Sequence, residues 1–495
     1  MKLAYLLVSV FIGLLSTPSI AQSGSTSDST TSYIELAGLG TSIERTPFWM
    51  HANQYGIVPR TGSLLSARTG FDKYWALTRN KNSNYQWRTS LGVEAVGNIM
   101  NVTTAPKPQL LLPQAYGSLH LNNWELSVGR KRYLVGLADS TIGMGSYAWS
   151  GNALPIPVIR FGLSQFTNVP MTRGWVAVQG FYADGLFENN RPNTSELKLH
   201  QKSLYIRLGT TQSRVRLYGG FNHQVQWGGK SRYNTVDGQM PTGFKNYIYA
   251  VTGMKPFNAN PNMDFFDYTN RVGNHLGTVD AAIEWIGKKY SLFLYRQNIY
   301  DDGSLFHLNN IMDGLNGIRL RIKNNESRAV TVHEVVAELL YTKSQGGTEF
   351  GYIRSKQGRD NYFNNSQVWD GWSYYNRTIG TPFIPPSTET APLWPSYKFT
   401  SNNRVAVVHL GLKGTLLYNY IWSTRFSYSS NSGTYDVPFD THPRQFSGML
   451  TLQRRTSWLG GNTILTGTVA TDIGNLYKNS TGLMLSIRKE GLFNN

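Results

Sequence analysis

The stretch NYFNNSQVWDGWSYYNRTIGTPF, residues 361–383, carries seven aromatic rings and five Asn or Gln side chains among its 23 residues. A hydrophobic core wants such rings but not the amides, and a disordered loop wants the amides but not the rings. Sugar recognition uses both. The C–H face of a sugar ring is apolar and stacks on an aromatic ring, while planar amides match pairs of neighbouring hydroxyls. On this reading Trp369, Trp372, Tyr374 and Tyr375 are stacking candidates, and Asn361, Asn364 and Asn365 are hydroxyl partners. Arg377 presents a fork that suits a sugar carboxylate. The competing reading is a small core in which the rings fold the segment and only some remain to bind.

Other residue groups suggest other chemistry less well. Asp264 with Asp267, and Asp301 with Asp302, could be paired carboxylates of a glycoside hydrolase, which needs two carboxyls facing each other across a cleft. YDDGS also has a partial likeness to a calcium loop but lacks the full ligand spacing, so turn chemistry is the simpler account. In ERTPFWMHANQYGIVPR, residues 44–60, His51 has no second ligand at a useful spacing, and a structural role fits better. ADSTIGMGSYAWSGNALPIP, residues 138–157, has neither a nucleophile elbow nor a phosphate loop. Ser146 and Ser150 have no nearby His, and the small residues suit tight backbone packing at a barrel rim. The sequence supplies no catalytic set, no cofactor motif and no metal site.

These residues must be held by something, and the period of the chain says what. Residues 1–21 read as a signal peptide: Lys2, an apolar run over residues 3–15, then small residues ahead of Gln22. Residues 22–32 read as a flexible polar leader and 33–495 as one unit. Beyond the signal no apolar run reaches the length of a spanning helix. Period-2 alternation recurs instead, over about ten residues at a time. Tyr85, Trp87, Thr89, Leu91, Val93 and Ala95 oppose Gln86, Arg88, Ser90, Gly92 and Glu94, for example. The polar faces carry full charges, such as Arg319 with Arg321 and Asp280 with Glu284, which require a wet lumen. Trp87, Trp124, Trp227, Trp285, Trp422 and Trp458 fall near strand ends, as interfacial girdles do.

The pattern predicts an all-β fold, a transmembrane antiparallel β-barrel of about 18 strands with long extracellular loops. Short links are expected near 122–123, 210–213, 287–288, 324–330, 412–413 and 457–461. Longer ones are expected near 228–277, 300–316, 343–403, 429–444 and 473–479. Parity demands a further strand, which PVIRFGL, residues 157–163, can supply, and two weaker candidates precede the rest at 33–40 and about 64–77. The segment 361–383 then lies outside the cell, and both termini lie in the periplasm. Phe493, third from the end, suits a C-terminal strand read by insertion machinery.

The chain has 47 basic and 29 acidic residues and no cysteine, so neither disulfides nor a lipoprotein anchor are possible. Without a basic block or nucleic-acid motif, this charge suits acidic polysaccharide or lipid phosphate rather than nucleic acid, or serves solubility alone.

Several long motifs carry a resemblance. PFWMHANQYGIVP, Gly129-Arg130 with SGNALPIPVIRFG, TNRVGNHLG, YDDGS with NNIMDGLNGI, and NYFNN…GWSYYNRTIGTPF together resemble the capsule-assembly Wzi family over nearly the whole mature chain. The resemblance implies an outer-membrane barrel that acts as a surface lectin for capsular polysaccharide and is not an enzyme. The partners it implies are an acidic capsule, outer-membrane lipid and lipopolysaccharide, and capsule export machinery. Alternatives are a porin-type channel and, last, a surface glycan hydrolase.

Overall fold

The computed structural model describes residues 28–491 apart from 79, 81–82, 103–105, 259–262, 303, 305–308, 324–328, 350–357 and 460. The expected signal segment, most of the leader and Phe493 lie outside the described residues. Eighteen antiparallel strands form one closed sheet. They are β1 (Ser29–Thr41), β2 (Leu64–Ala76), β3 (Trp87–Met100), β4 (Lys107–Leu121), β5 (Trp124–Arg130), β6 (Val158–Asn168), β7 (Val176–Leu186), β8 (Lys198–Leu208) and β9 (Val215–Trp227). The second half is β10 (Asn274–Ile286), β11 (Tyr290–Asp301), β12 (Gly314–Ile322), β13 (Val330–Tyr341), β14 (Val405–Leu416), β15 (Tyr420–Asn431), β16 (Arg444–Thr456), β17 (Thr463–Gly474) and β18 (Ser480–Glu490). β18 closes the barrel on β1, with Leu36 opposite Ile487. Closure leaves no unpaired edge, which a spanning sheet cannot tolerate.

The strand set agrees with the parity argument, including the strand in PVIRFGL. Two local expectations are corrected. β1 begins at Ser29, so residues 29–32 are strand rather than leader. The turn expected near 412–413 lies at 417–419, where Leu417 and Tyr418 take positive φ of 47° and 65°. Lys413-Gly414 imitates a turn, but Gly414 is there for close approach: a Cβ would lie 1.9 Å from the Thr331 carbonyl. Where the ladder slips between Glu94 and Val96, its partner strand carries Pro113, which has no N–H to give.

Alternation sets the two faces of the wall. Leu91, Val93, Leu204, Ile206, Leu208, Leu217, Val408, Leu410, Leu483 and Leu485 are exposed on the outside, as a lipid-facing band requires. Their neighbours Ser90, Glu94, Ser203 and Arg207 turn inward and are buried. Trp87, Trp124, Trp285 and Trp422 stand at the end with the short turns. Trp227 stands at the opposite end and is covered.

That opposite end carries the longer connections, including residues 42–63, 131–157, 228–273 and 342–404; of these, 42–63, 131–157 and the segment 361–383 fold into the lumen. Inward side chains satisfy their backbone. Asp280 accepts from the Leu137 N–H at 2.7 Å, Gln297 from Tyr147 at 2.9 Å, and Asp472 from Phe48 at 2.9 Å. Asp139, within the connection, accepts from the N–H groups of Thr141, Ile142 and Gly143 at 2.8, 2.9 and 3.0 Å. The glycine- and serine-rich connection is thus a lumenal plug rather than only a rim. Phe48, Trp49, Tyr147, Trp149, Tyr362, Phe363, Trp372 and Phe383 form one buried core where three connections meet.

Candidate functional site

The segment 361–383 is folded around its own rings. Ser373–Tyr374 pairs with Arg377–Thr378, and the two residues between them, Tyr375 and Asn376, have φ of 49° and 55°. Two successive positive φ values make the tight turn that matches strand twist. They place Tyr375, 47 % exposed, at the tip of the hairpin. Its backbone N–H donates to Glu188 at 2.8 Å. Gly371 (φ +58°) lets the chain pass close to Phe363, whose carbonyl would lie 2.3 Å from an added Cβ.

The eight sugar-contact candidates divide by environment. Trp372 and Tyr374 are buried, at 1 % and 2 % exposure, and belong to the core. The Tyr374 hydroxyl accepts from Arg130 at 2.8 Å. Asn364 donates to the Thr400 carbonyl and accepts from its N–H, at 2.9 and 3.0 Å. Asn365 accepts from the N–H groups of Gln367 and Val368 at 2.8 and 3.0 Å. Arg377 donates to the Val58 carbonyl, and burial, then the Arg60 charge, lowers its pKa to about 9. These five are corrected from ligand contacts to structural parts, because their polar atoms already hold the loop and their rings are enclosed. The remaining three, Trp369, Tyr375 and Asn361, stay accessible.

Three connections meet around Trp369. Its ring lies on Tyr233 with centroids 3.7 Å apart and planes within 8°, and its indole N–H donates to the Ser366 carbonyl at 3.0 Å. Stacking uses one face of each ring, and both rings stay partly exposed. The Lys398 ammonium stands 5.7 Å from the Trp369 centroid and 5.3 Å from that of Tyr397. Partial burial lowers the pKa of Lys398, so its charge is incompletely hydrated. Asp436 gathers the remainder: Tyr397 donates to it at 2.6 Å, Arg359 at 2.8 Å and Asn361 at 3.1 Å. The result is an aromatic platform edged by Lys398, by the Arg359–Asp436 ion pair and by an amide.

Asp370 anchors this face from beneath. It accepts from the Asn193 amide at 2.8 Å and from the N–H and hydroxyl of Thr194 at 2.9 and 2.7 Å. Arg191, 3.6 Å away, also donates to the Ser373 and Gly371 carbonyls at 2.9 and 3.2 Å. Gln367 donates to Asp267 at 2.8 Å, and burial raises the pKa of that carboxyl to about 7. Two of the four carboxylates considered for hydrolysis are thus engaged: Asp267 holds Gln367, and Asp302 accepts from Asn270 at 2.9 Å and from the His275 N–H at 3.1 Å. Sequence reasoning missed Tyr233, Arg359, Tyr397, Lys398 and Asp436. Parity put their connections at one end of the barrel, but no local pattern marks them as neighbours.

The Capsule assembly protein Wzi family matches residues 42–410, about three quarters of the chain. The chain belongs to that family. Among solved structures it is similar to Wzi of Escherichia coli, an outer-membrane protein involved in group 1 capsule assembly and described as a carbohydrate-binding β-barrel. The two share 15 % identity over 92 % of this chain and 83 % of the other, with a TM-score of 0.54. OccAB4 of Acinetobacter baumannii follows at 9 % identity over 94 % and 98 % of the two chains, with a TM-score of 0.47. OccK9 of Pseudomonas aeruginosa gives 9 % over 93 % and 98 %, with a TM-score of 0.46. No curated protein matches the chain. Family and fold together make this member of the Wzi family an outer-membrane β-barrel.

Proposed function

We propose that this Wzi-family barrel is a non-enzymatic surface lectin that binds capsular polysaccharide and helps attach or assemble the capsule. Its long connections face the cell exterior and its signal peptide is removed. The observation that carries this reading is the Trp369–Tyr233 stack, with Lys398, Arg359 and Asn361 around it, at the end where connections fill the lumen. The exposed parts of the two rings offer a sugar an apolar platform, and Lys398 beside them favours an acidic repeat. Tyr375, at the hairpin tip, supplies a second, separate ring.

The description of Escherichia coli Wzi as a carbohydrate-binding barrel supports the same reading. A filled lumen suits a surface that holds polymer better than a pore that passes solutes. One platform binds a single repeat weakly. A long polymer that engages many barrels is retained by avidity. The test is capsule retention in a deletion strain complemented with wild type or with Trp369→Ala/Tyr233→Ala. Reduced retention with the double variant supports the proposal, and wild-type retention overturns it.

A further inference from the structure

The outer wall holds a second site, on the lipid side rather than at the mouth. Leu204, Ile206 and Leu208 of β8 and Leu217 and Phe221 of β9 face outward and are exposed. The same alternation carries Lys198, His200 and Lys202 of β8 and Val225 and Trp227 of β9 onto that face, at the end with the long connections. His200, Val225 and Trp227 are nevertheless buried. They are covered by the helix Phe244–Thr252, which lies against the outside of the wall. Tyr247 tilts onto Trp227 with centroids 5.2 Å apart and donates to Asp184 at 2.8 Å, and Lys202 donates to the Val251 carbonyl. Away from the wall, Phe244 is 79 % and Ile248 42 % exposed, followed by Met254 and Phe257 at 47 % and 75 %. A helix with one side on the barrel and apolar residues on the other lies in the plane of the membrane interface.

Beside this helix is a groove of about 460 Å³ among Val128, Ile159, Leu186, Lys198, Trp227 and Tyr247. Its volume falls within the roughly 300–1,000 Å³ of ordinary ligand sites. The floor is aliphatic and continuous with the lipid-facing band. At its rim the Lys198 ammonium stands 4.9 Å from the Trp227 centroid. The indole N–H of Trp227 is buried with no hydrogen-bond partner among the described residues. A buried donor without an acceptor is costly, and next to a cation it suits an anionic oxygen. The neighbouring carboxylate, Asp184, is engaged by Tyr247 and by His200 at 3.1 Å.

We infer that the groove binds one acyl chain of a phosphate-bearing membrane lipid, with the chain along Val128, Ile159 and Leu186 and a head-group oxygen at Lys198 and the Trp227 N–H. The site is independent of the glycan reading and needs only the barrel in a membrane. The test reconstitutes the full-length barrel in phosphatidylcholine vesicles containing small fractions of brominated-chain phosphatidylglycerol or brominated-chain phosphatidylcholine. Fluorescence is read as wild type minus Trp227→Phe, because bromine quenches indole only on contact. The expected result is quenching that saturates at a several-fold lower fraction of the anionic lipid, with the preference lost in Lys198→Gln. Equal quenching by both head groups means ordinary annular lipid and overturns the inference. A preference unchanged in Lys198→Gln overturns it equally. Native mass spectrometry of the same preparations adds a fold-independent reading: bound phosphatidylglycerol on wild type and not on Lys198→Gln is expected, and equal retention contradicts the site.

Discussion

Asp370→Ala should release the loop that carries Trp369 without unfolding the barrel. The Asp370 carboxylate is almost enclosed, accepts hydrogen bonds from Asn193 and Thr194, and stands 3.6 Å from an Arg191 that is itself buried. Removing one partner of a buried, hydrogen-bonded charge pair costs about 3–5 kcal/mol, because the other charge is left uncompensated. Arg191 keeps its bonds to the Ser373 and Gly371 carbonyls and its ion pair with Glu188 at 3.4 Å, so the low end of that range applies. Each 1.4 kcal/mol is tenfold, so about 3 kcal/mol corresponds to roughly two orders of magnitude in local opening. Hydrogen exchange in detergent, read by mass spectrometry, should show that acceleration for backbone amides in 187–197 and 361–383. Amides in β3, β10 and β16 should keep their rates, because the strand ladder does not depend on this anchor. Unchanged exchange in both loop segments, or equal acceleration in loop and barrel, would mean that Asp370 does not anchor this loop.

Further outcomes follow from the same geometry. Gly371→Ala places a side chain at φ +58° and against the Phe363 carbonyl; it should cost about 1–3 kcal/mol of loop stability, seen as faster exchange in 361–383. Burial raises the Asp267 pKa to about 7, above its unfolded value, so the folded loop holds a proton that the unfolded one releases. Loop stability should therefore fall as pH rises from about 4 to 7 and then level off, and Asp267→Asn should flatten that slope in exchange corrected for its intrinsic pH dependence. Leu204→Arg, on the lipid face, should cost about 2–4 kcal/mol in denaturant titrations of refolding into bilayers. Planar-bilayer recordings should find conductance far below that of an open barrel of this strand number, and excising 131–157 should raise it.

The wall was legible in the sequence because lipid outside and water inside impose period 2 on every strand, and because the chain must return to the same side every second strand. The turn at 417–419 was misplaced because Leu417 and Tyr418 look like strand residues, whereas Gly414 looks like a turn and is a close-approach site. The candidate site was half legible. Composition marked 361–383 as a segment rich in rings and amides, but a ring in a core and a ring on a platform are the same residue. Tertiary packing decided between them, enclosing Trp372 and leaving Trp369 on Tyr233. Tyr233, Lys398 and Asp436 come from three different connections. Only closure of the barrel and collapse of those connections into its mouth bring them together.

The proposed function places glycan on the platform of Trp369 and Tyr233. Its direct test is equilibrium binding of purified capsular polysaccharide to the detergent-solubilised barrel, comparing wild type, Trp369→Ala/Tyr233→Ala, and Lys398→Gln. Heat-modifiable migration on a gel confirms that each variant is folded. Loss of two central stacking rings should weaken binding by at least about tenfold, the scale of a hot-spot contact. Lys398→Gln should reduce both the affinity and its sensitivity to salt. Binding unchanged without Trp369 and Tyr233, in a folded barrel, would contradict the account.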